Sequence, residues 1–358
     1  MSQNKDISAD LQAQVNNALS DNTPLNIIGG NTKNWYGNQP HGEALSTAAH
    51  QGIVNYEPTE LVITARSGTP IKHIEEALES AGQQLPFEPP HFGASATLGG
   101  TIACNFSGPA RPYGGAARDL VLGCKIINGK GEILSFGGEV MKNVAGYDLS
   151  RLMAGSLGTL GVLLEISLKV LPRAESEVTV VMDMNAAEGI DKMCQLDGRS
   201  LPITAACHHA ERLHLRLAGT EGAVKQAQKQ LAGEVLESGV DFWNRLKEHE
   251  LNFFNNNNVW RISVAPDTPV MGLEGKWLYD WGGAQRWLVS TQSAAAIRSA
   301  TEQVGGHATL FRTNYSSPYQ NEQAFHPLGT GMMRYQRQLK AAFDPQGIFN
   351  PQRMYSEF

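Results

Sequence analysis

The sequence lacks the marks of several functional classes. It holds only four cysteines in 358 residues: Cys104, Cys124, Cys194 and Cys207. None form a CxxC pair or a cluster-binding spacing, so they read as reduced, mostly buried thiols. Any redox chemistry would have to find its iron–sulfur relay elsewhere. No window approaches the ~18 uninterrupted apolar residues of a membrane helix. The opening stretch MSQNKDISADLQAQVNNALS has no apolar signal-peptide core. The expectation is a soluble, cytoplasmic chain that meets a membrane only through partners. Basic residues are scattered and the net charge is −6, which gives no support to nucleic-acid binding.

Two nucleotide-binding fingerprints are also missing. The run Gly155-Ser156-Leu157-Gly158-Thr159-Leu160-Gly161 has the spacing G-x-x-G-x-x-G. The dinucleotide fingerprint is G-x-G-x-x-G, followed by an acidic residue ~20 positions on, and neither is found. No G-x-x-x-x-G-K-[ST] occurs, which excludes a P-loop. Metal binding finds no support. His208 and His209 are adjacent on a predicted strand and point to opposite faces.

Glycine is abundant: 37 residues, about one in ten, against a usual ~7%. It concentrates in the first half, where it permits tight turns or close approach to a ligand. The first segment is Gly29-Gly30-Asn31-Thr32-Lys33, at the end of a predicted strand Pro24–Ile28. Consecutive backbone N–H groups in such a loop form a concavity for anionic oxygens. Asn31 and Thr32 add side-chain donors, and Lys33 adds charge. The second segment runs from Leu98 through Gly99, Gly100, Thr101, Ala103 and Asn105 to Ser107 and Gly108. Its small residues let a backbone pass close to a flat or phosphorylated ligand, and Thr101 and Ser107 are donors. The third holds Gly146-Tyr147-Asp148 and then Gly158, Gly161 and Val162.

The remaining pattern predicts helices over 10–19 and after Thr69-Pro70, with Thr69 as N-cap and Ile71, Ile74 and Leu78 as the buried stripe. Residues 121–136 read as a hairpin around Asn128-Gly129, and Val162–Val170 as a half-buried strand. Leu171-Pro172-Arg173 marks a domain boundary. Beyond it, strands at 177–182, 202–207, 212–218 and 259–265 with helices at 185–195 and 222–232 give a βαββαβ order, a ferredoxin-like layer. No internal repeat is evident. In the Trp-rich stretch 277–287, Arg286 is a candidate for gripping a carboxylate. His307, Arg312 and His326 are candidates for a pocket wall.

The three glycine segments, in this order and spacing, resemble the FAD-binding domain of the vanillyl-alcohol-oxidase, or PCMH-type, flavoprotein family. The tail Phe343-Asp344-Pro345-Gln346-Gly347-Ile348-Phe349-Asn350-Pro351 is similar to the closing motif of the D-2-hydroxyacid dehydrogenase branch. The chain as a whole, including Asp280–Trp287, resembles the E subunits of bacterial glycolate oxidases. The resemblance implies an α+β fold: a PCMH-type FAD-binding domain over 1–173, a ferredoxin-like cap over 174–320, and a segment 321–358 returning to the first domain. It implies that Gly29–Lys33 and Leu98–Gly108 wrap the FAD pyrophosphate. Gly146–Asp148 and Gly158–Val162 would lie along the rest of the cofactor. It further implies a D-type flavoprotein partner, an iron–sulfur partner and a small 2-hydroxy acid such as glycolate as substrate. Two departures qualify this. Asn31 and Thr32 stand where some relatives carry a flavin-linking His, so FAD is expected to be held non-covalently. The H-G-D-G-N-x-H segment of catalytic D-type relatives is missing, so no catalytic residue is assigned. A non-catalytic flavin-binding subunit that relays electrons therefore remains an alternative.

Overall fold

The computed structural model describes residues 4–138, 149–256, 258–313, 319 and 322–358. The chain divides into two compact units. Unit 1 comprises Met1–Ser107, Ala116–Arg173 and Pro327–Phe358; unit 2 comprises Gly108–Gly115 and Ala174–His326.

Unit 1 opens with α1 (Ser8–Asp21), which buries Leu11, Val15 and Ala18. A two-stranded parallel pair follows, β1 (Leu25–Ile28) and β2 (Glu43–Ser46). The larger sheet holds β3 (Ile53–Glu57), β4 (Val62–Arg66), β5 (Val121–Ile127), β6 (Ile133–Gly137) and β7 (Val162–Lys169). Its order is β3-β4-β7-β5-β6, all antiparallel. Strand β7 is therefore central, and its alternation holds: Leu164, Ile166 and Leu168 are fully buried while Glu165 and Lys169 are only partly so. Ser167 on its polar face is enclosed and pairs with Thr64, Oγ to Oγ1 at 2.8 Å. Helix α2 (Ile71–Ser80) buries Ile71, Ile74 and Leu78 completely, as its 3.6-residue period dictates. Thr69 does not cap it. The Thr69 hydroxyl instead exchanges hydrogen bonds with the Gly52 backbone, accepting at 2.9 Å and donating at 3.2 Å. Helix α3 (Leu98–Cys104) starts at Thr97, whose side chain accepts the Gly100 amide.

Unit 2 is built on one eight-stranded antiparallel sheet. Its strands are β8 (Ser176–Asp183), β9 (Ile203–His209), β10 (Arg212–Gly219), β11 (Glu234–Val235), β12 (Val259–Ser263), β13 (Lys276–Asp280), β14 (Gln285–Val289) and β15 (His307–Arg312). The order is β11-β8-β10-β9-β13-β14-β12-β15. Each half has the spatial order 4-1-3-2 of a ferredoxin-like layer. The halves meet edge to edge where His208 on β9 pairs with Tyr279 on β13. This corrects the sequence reading twice. The fourth strand of the first layer is the two-residue β11, and Val259–Ser263 opens a second layer. The repeat is hidden because the second layer has a loop, 264–275, where the first has its helix α4 (Ala186–Leu196). Helix α4 and α5 (Glu221–Leu231) bury Ile190, Met193, Val224 and Ala227 against Leu213, Leu215 and Leu217. Helix α6 (Gly239–Lys247) and then α7 (Ala294–Gln303) follow. The latter buries Ile297 against Trp260, Ile262 and Leu288.

The last helix, α8 (Thr330–Phe343), returns the chain to unit 1. Its Lys340 ammonium is buried and donates to Asp344 Oδ2 at 2.6 Å, Phe349 O at 2.7 Å and Thr159 O at 2.8 Å. Asp344 in turn accepts the Ile348 and Phe349 amides. The tail is thereby fixed beside β1.

Candidate functional site

Strand β1 ends at Ile28, and the chain turns through Gly29 and Gly30 into Asn31, which takes φ 59°. This loop forms one wall of a solvent-open cleft of about 780 Å³. The opposite wall is the start of α3 with Thr97, Gly99, Gly100, Ala103 and Cys104, and the floor holds Ser67, Leu157, Gly158, Gly161 and Leu163.

Gly30 is dictated by chain packing. A Cβ there would sit 1.5 Å from the Ser95 carbonyl oxygen, and Ser95 Oγ already donates to the Gly30 carbonyl at 2.7 Å. Gly100 differs: an added Cβ would meet only Thr97 Oγ1, at 3.3 Å, and otherwise occupy cleft space. The Lys33 side chain is buried and donates to His91 O at 3.0 Å and Thr32 Oγ1 at 3.2 Å, with Phe92 beneath it at 5.8 Å. Among the described residues the Asn31 and Thr32 amides donate no backbone hydrogen bond. The Ser67 hydroxyl lines the cleft, is 1% exposed and has no partner among the described residues. Among the described residues the lining holds two cations, Lys33 and Arg353, and no carboxylate.

Ten of the sequence-derived candidates come together in this cleft: Gly29, Gly30, Asn31, Thr32, Lys33, Gly99, Gly100, Ala103, Gly158 and Gly161. Others do not line it. Leu98 is in the hydrophobic core, and Val162 is fully buried beside Leu11 and Phe349. The Thr101 hydroxyl is fully buried without a partner among the described residues. Asn105 ends α3 in the left-handed region and accepts the Arg118 amide at 3.1 Å. Ser107 Oγ accepts the Ala117 amide at 3.0 Å. Gly108 belongs to unit 2, where its carbonyl accepts Trp281 Nε1 at 2.9 Å. Gly146, Tyr147 and Asp148 lie outside the described residues.

Sequence reasoning missed the tail's share of the lining. Asn350 and Arg353 both line the cleft. Asn350 Oδ1 accepts the Ile27 amide at 2.7 Å, and its Nδ2 donates to Leu157 O at 2.6 Å. The Arg353 guanidinium donates to Asn34 O at 2.8 Å and to Asn38 O. Burial pulls its pKa below the ordinary guanidinium value. The signal available was the tail motif itself, which ends two residues before Arg353.

In unit 2, Arg286 is not a substrate-facing group. It is fully buried beneath the 280–285 turn, and its guanidinium is spent on the carbonyls of Gly283, Pro269 and Thr268. Asp280 holds the same turn by accepting the Trp281 amide at 2.8 Å. His326 Nδ1 accepts the Ala308 amide, and its Nε2 lies 2.9 Å from Glu302.

The cleft fits a phosphorylated, largely apolar-walled ligand. It combines free amides and a buried hydroxyl donor with positive charge, and its glycines leave room for close approach. Residues 7–137 match the FAD binding domain family. The chain is 50% identical to the glycolate oxidase subunit GlcE of Escherichia coli (strain K12), over 98% of both chains. It is also 36% identical over 129 residues to the glycolate oxidase subunit GlcD of Bacillus subtilis (strain 168), spanning 36% of this chain and 27% of that protein. In fold it is similar to p-cresol methylhydroxylase, with a TM-score of 0.72 at 13% identity over 99% of this chain and 88% of that one. Alkyldihydroxyacetonephosphate synthase gives 0.65 at 14% identity, over 96% and 74%. The architecture is thus that of a PCMH-type flavoprotein and the cofactor is FAD; the chain belongs to the family of the glycolate oxidase subunit GlcE.

Proposed function

We propose that this chain is the FAD-binding E subunit of a multi-subunit glycolate oxidase. It takes part in oxidising glycolate, or a similar small 2-hydroxy acid, to the 2-oxo acid, and electrons leave through partner subunits. The observation that carries this is the end-to-end 50% identity to a glycolate oxidase subunit. Bound FAD supplies the two-electron acceptor chemistry; the chain binds, orients and shields it. Gly29–Lys33, Gly99, Gly100, Ala103, Gly158 and Gly161 hold it, with Leu98, Thr101, Asn105, Ser107, Gly108 and Val162 shaping the supporting backbone. Gly146, Tyr147 and Asp148 complete this assignment. The attachment is non-covalent: Asn31 and Thr32 occupy the linking position, and no histidine lines the cleft among the described residues.

The partners are a D-type flavoprotein subunit and an iron–sulfur subunit. Each unit of this chain holds only two cysteines, short of the four thiolates of an ordinary cluster. No helix is long and apolar enough to cross a membrane among the described residues, so membrane contact is assigned to the partners and the chain to the cytoplasmic side.

A second reading, a subunit that relays electrons without turning over substrate, is favoured by the fate of Arg286. The guanidinium best suited to a substrate carboxylate is consumed by three backbone carbonyls. One experiment separates the readings. The chain is purified alone, its flavin absorbance recorded, and glycolate added without oxygen. Bleaching assigns turnover to this chain. Bound FAD that bleaches only when the D-type subunit is added assigns the relay. A protein that cannot be loaded with FAD rules out both.

A further inference from the structure

We propose that Arg353, carried by the C-terminal segment, acts with Lys33 as the charge pair that holds the FAD diphosphate, so that dinucleotide affinity depends on the docked tail. The proposal rests on the FAD reading of the same cleft and names its charge-selecting residue. Arg353 lies far outside residues 7–137, which match the FAD binding domain family.

The first argument is charge. The chain carries −6 overall, yet among the described residues the cleft lining holds Lys33 and Arg353 and no aspartate or glutamate. Two cations lining a solvent-accessible cleft favour an anion of matching charge, and a dinucleotide diphosphate carries one negative charge on each phosphate.

The second argument is burial. Arg353 is 6% exposed, and among the described residues it makes no ion pair. Its described contacts are the carbonyls of Asn34 and Asn38. Two of the five N–H donors of a guanidinium are used in this way, so donors remain for a ligand. A desolvated cation without a counter-charge is costly to keep ionised, and burial lowers the Arg353 pKa accordingly. An anion in the cleft removes that cost.

The third argument is position. Arg353 is tied to the glycine loop from both directions: its carbonyl accepts the Asn38 amide at 3.0 Å, and its Nη2 donates to Asn34 O at 2.8 Å. Asn34 directly follows Gly29–Lys33. The guanidinium thus sits beside the segment whose Asn31 and Thr32 amides donate no backbone hydrogen bond among the described residues. Upstream, Asn350 locks the tail to β1 and Lys340 ties it to Thr159. Undocking the tail would withdraw Arg353 from the cleft.

The test uses the full-length apo-protein, titrated with FAD and with riboflavin by flavin fluorescence, and with ADP by competition. R353Q is expected to weaken FAD and ADP roughly 10- to 100-fold, the scale of a lost charge-assisted contact. Riboflavin, which has no phosphate, should change less than about twofold. The salt dependence of FAD binding should become shallower in the variant. R353K keeps the charge but not the guanidinium fork, so it should lose clearly less FAD affinity than R353Q even where its Tm falls. The proposal is overturned if folded R353Q binds FAD like the parent, if FAD and riboflavin weaken equally, or if R353K falls as far as R353Q. Should R353Q fail to fold, R353K together with K33Q decides by the same FAD-against-riboflavin contrast. A parent protein that binds neither FAD nor ADP removes the FAD reading itself, which none of the variant outcomes does.

Discussion

Asn350 and Ile27, 323 residues apart, share a 2.7 Å hydrogen bond in which the tail side chain accepts the amide of the strand leading into the glycine loop. The same carboxamide donates to Leu157 O at 2.6 Å, just before Gly158. One side chain therefore fixes two separate walls of the cleft. The backbone allows it because Asn350 sits at φ 39°, a region asparagine tolerates better than most residues.

This predicts a large effect from a small deletion. Asn350→Ala strands a part-buried amide and a buried carbonyl, each costing ~1–3 kcal/mol. The expected loss is about 2–4 kcal/mol of stability in unit 1, read as a lower urea midpoint. FAD affinity should fall with it. An unchanged midpoint would mean the clamp has no energetic role.

The Lys340–Asp344 pair makes a second test. Both side chains are buried and 2.6 Å apart. Lys340→Met leaves Asp344 desolvated and uncompensated, which costs ~3–5 kcal/mol. Adding Asp344→Asn removes the stranded charge and should recover part of that loss. Thermal unfolding of both single variants and the double variant measures the coupling; strictly additive losses would show that the pair acts as two independent contacts.

The glycines separate into two kinds. Gly30→Ala would drive a Cβ to 1.5 Å from the Ser95 carbonyl oxygen, so this variant is expected to lose fold stability. Gly100→Ala meets only the Thr97 hydroxyl at 3.3 Å. It should fold normally and lose FAD affinity by about tenfold or more, because its methyl occupies the ligand's space. Circular dichroism and flavin titration together distinguish the two. A folded Gly100→Ala with parental affinity would remove Gly100 from the contact surface.

These contrasts show what the sequence could and could not reveal. Glycine bunching located the cleft because tight turns and close backbone approach have few other solutions, and ten candidate residues do meet there. Periodicity placed α2 and its stripe correctly, since burial follows the 3.6-residue repeat wherever one face is apolar. It also placed the buried face of β7, with Leu164, Ile166 and Leu168, but not the enclosure of Ser167 on the other face, which depends on a hydroxyl partner from β4. It missed the second ferredoxin-like layer, because β11 is two residues long and one helix is replaced by a loop. Arg353 escaped because its role depends on a contact across more than 300 residues, and no local pattern encodes such a contact.

The last prediction concerns acid. His214 on β10 is 7% exposed, its ring stacked on Phe242 at 4.1 Å, and its Nδ1 is buried without a partner among the described residues. Burial pulls its pKa from 6.5 down to about 4. Above pH 6.5 the ring is neutral in both folded and unfolded chains, so stability is fully present there. As pH falls from 6.5 towards 4 the unfolded chain takes the proton first, and folding loses about 1.4 kcal/mol per pH unit from this group. Its share is on the order of 2 kcal/mol between pH 6.5 and 5. His209, His249 and His307 are lowered by burial in the same direction and steepen the total. His214→Phe keeps a ring against Phe242 and cannot titrate. Urea unfolding followed by tryptophan fluorescence at several pH values should therefore show a shallower acid slope in this variant, by about one proton. An identical slope would mean that His214 titrates normally in the folded protein.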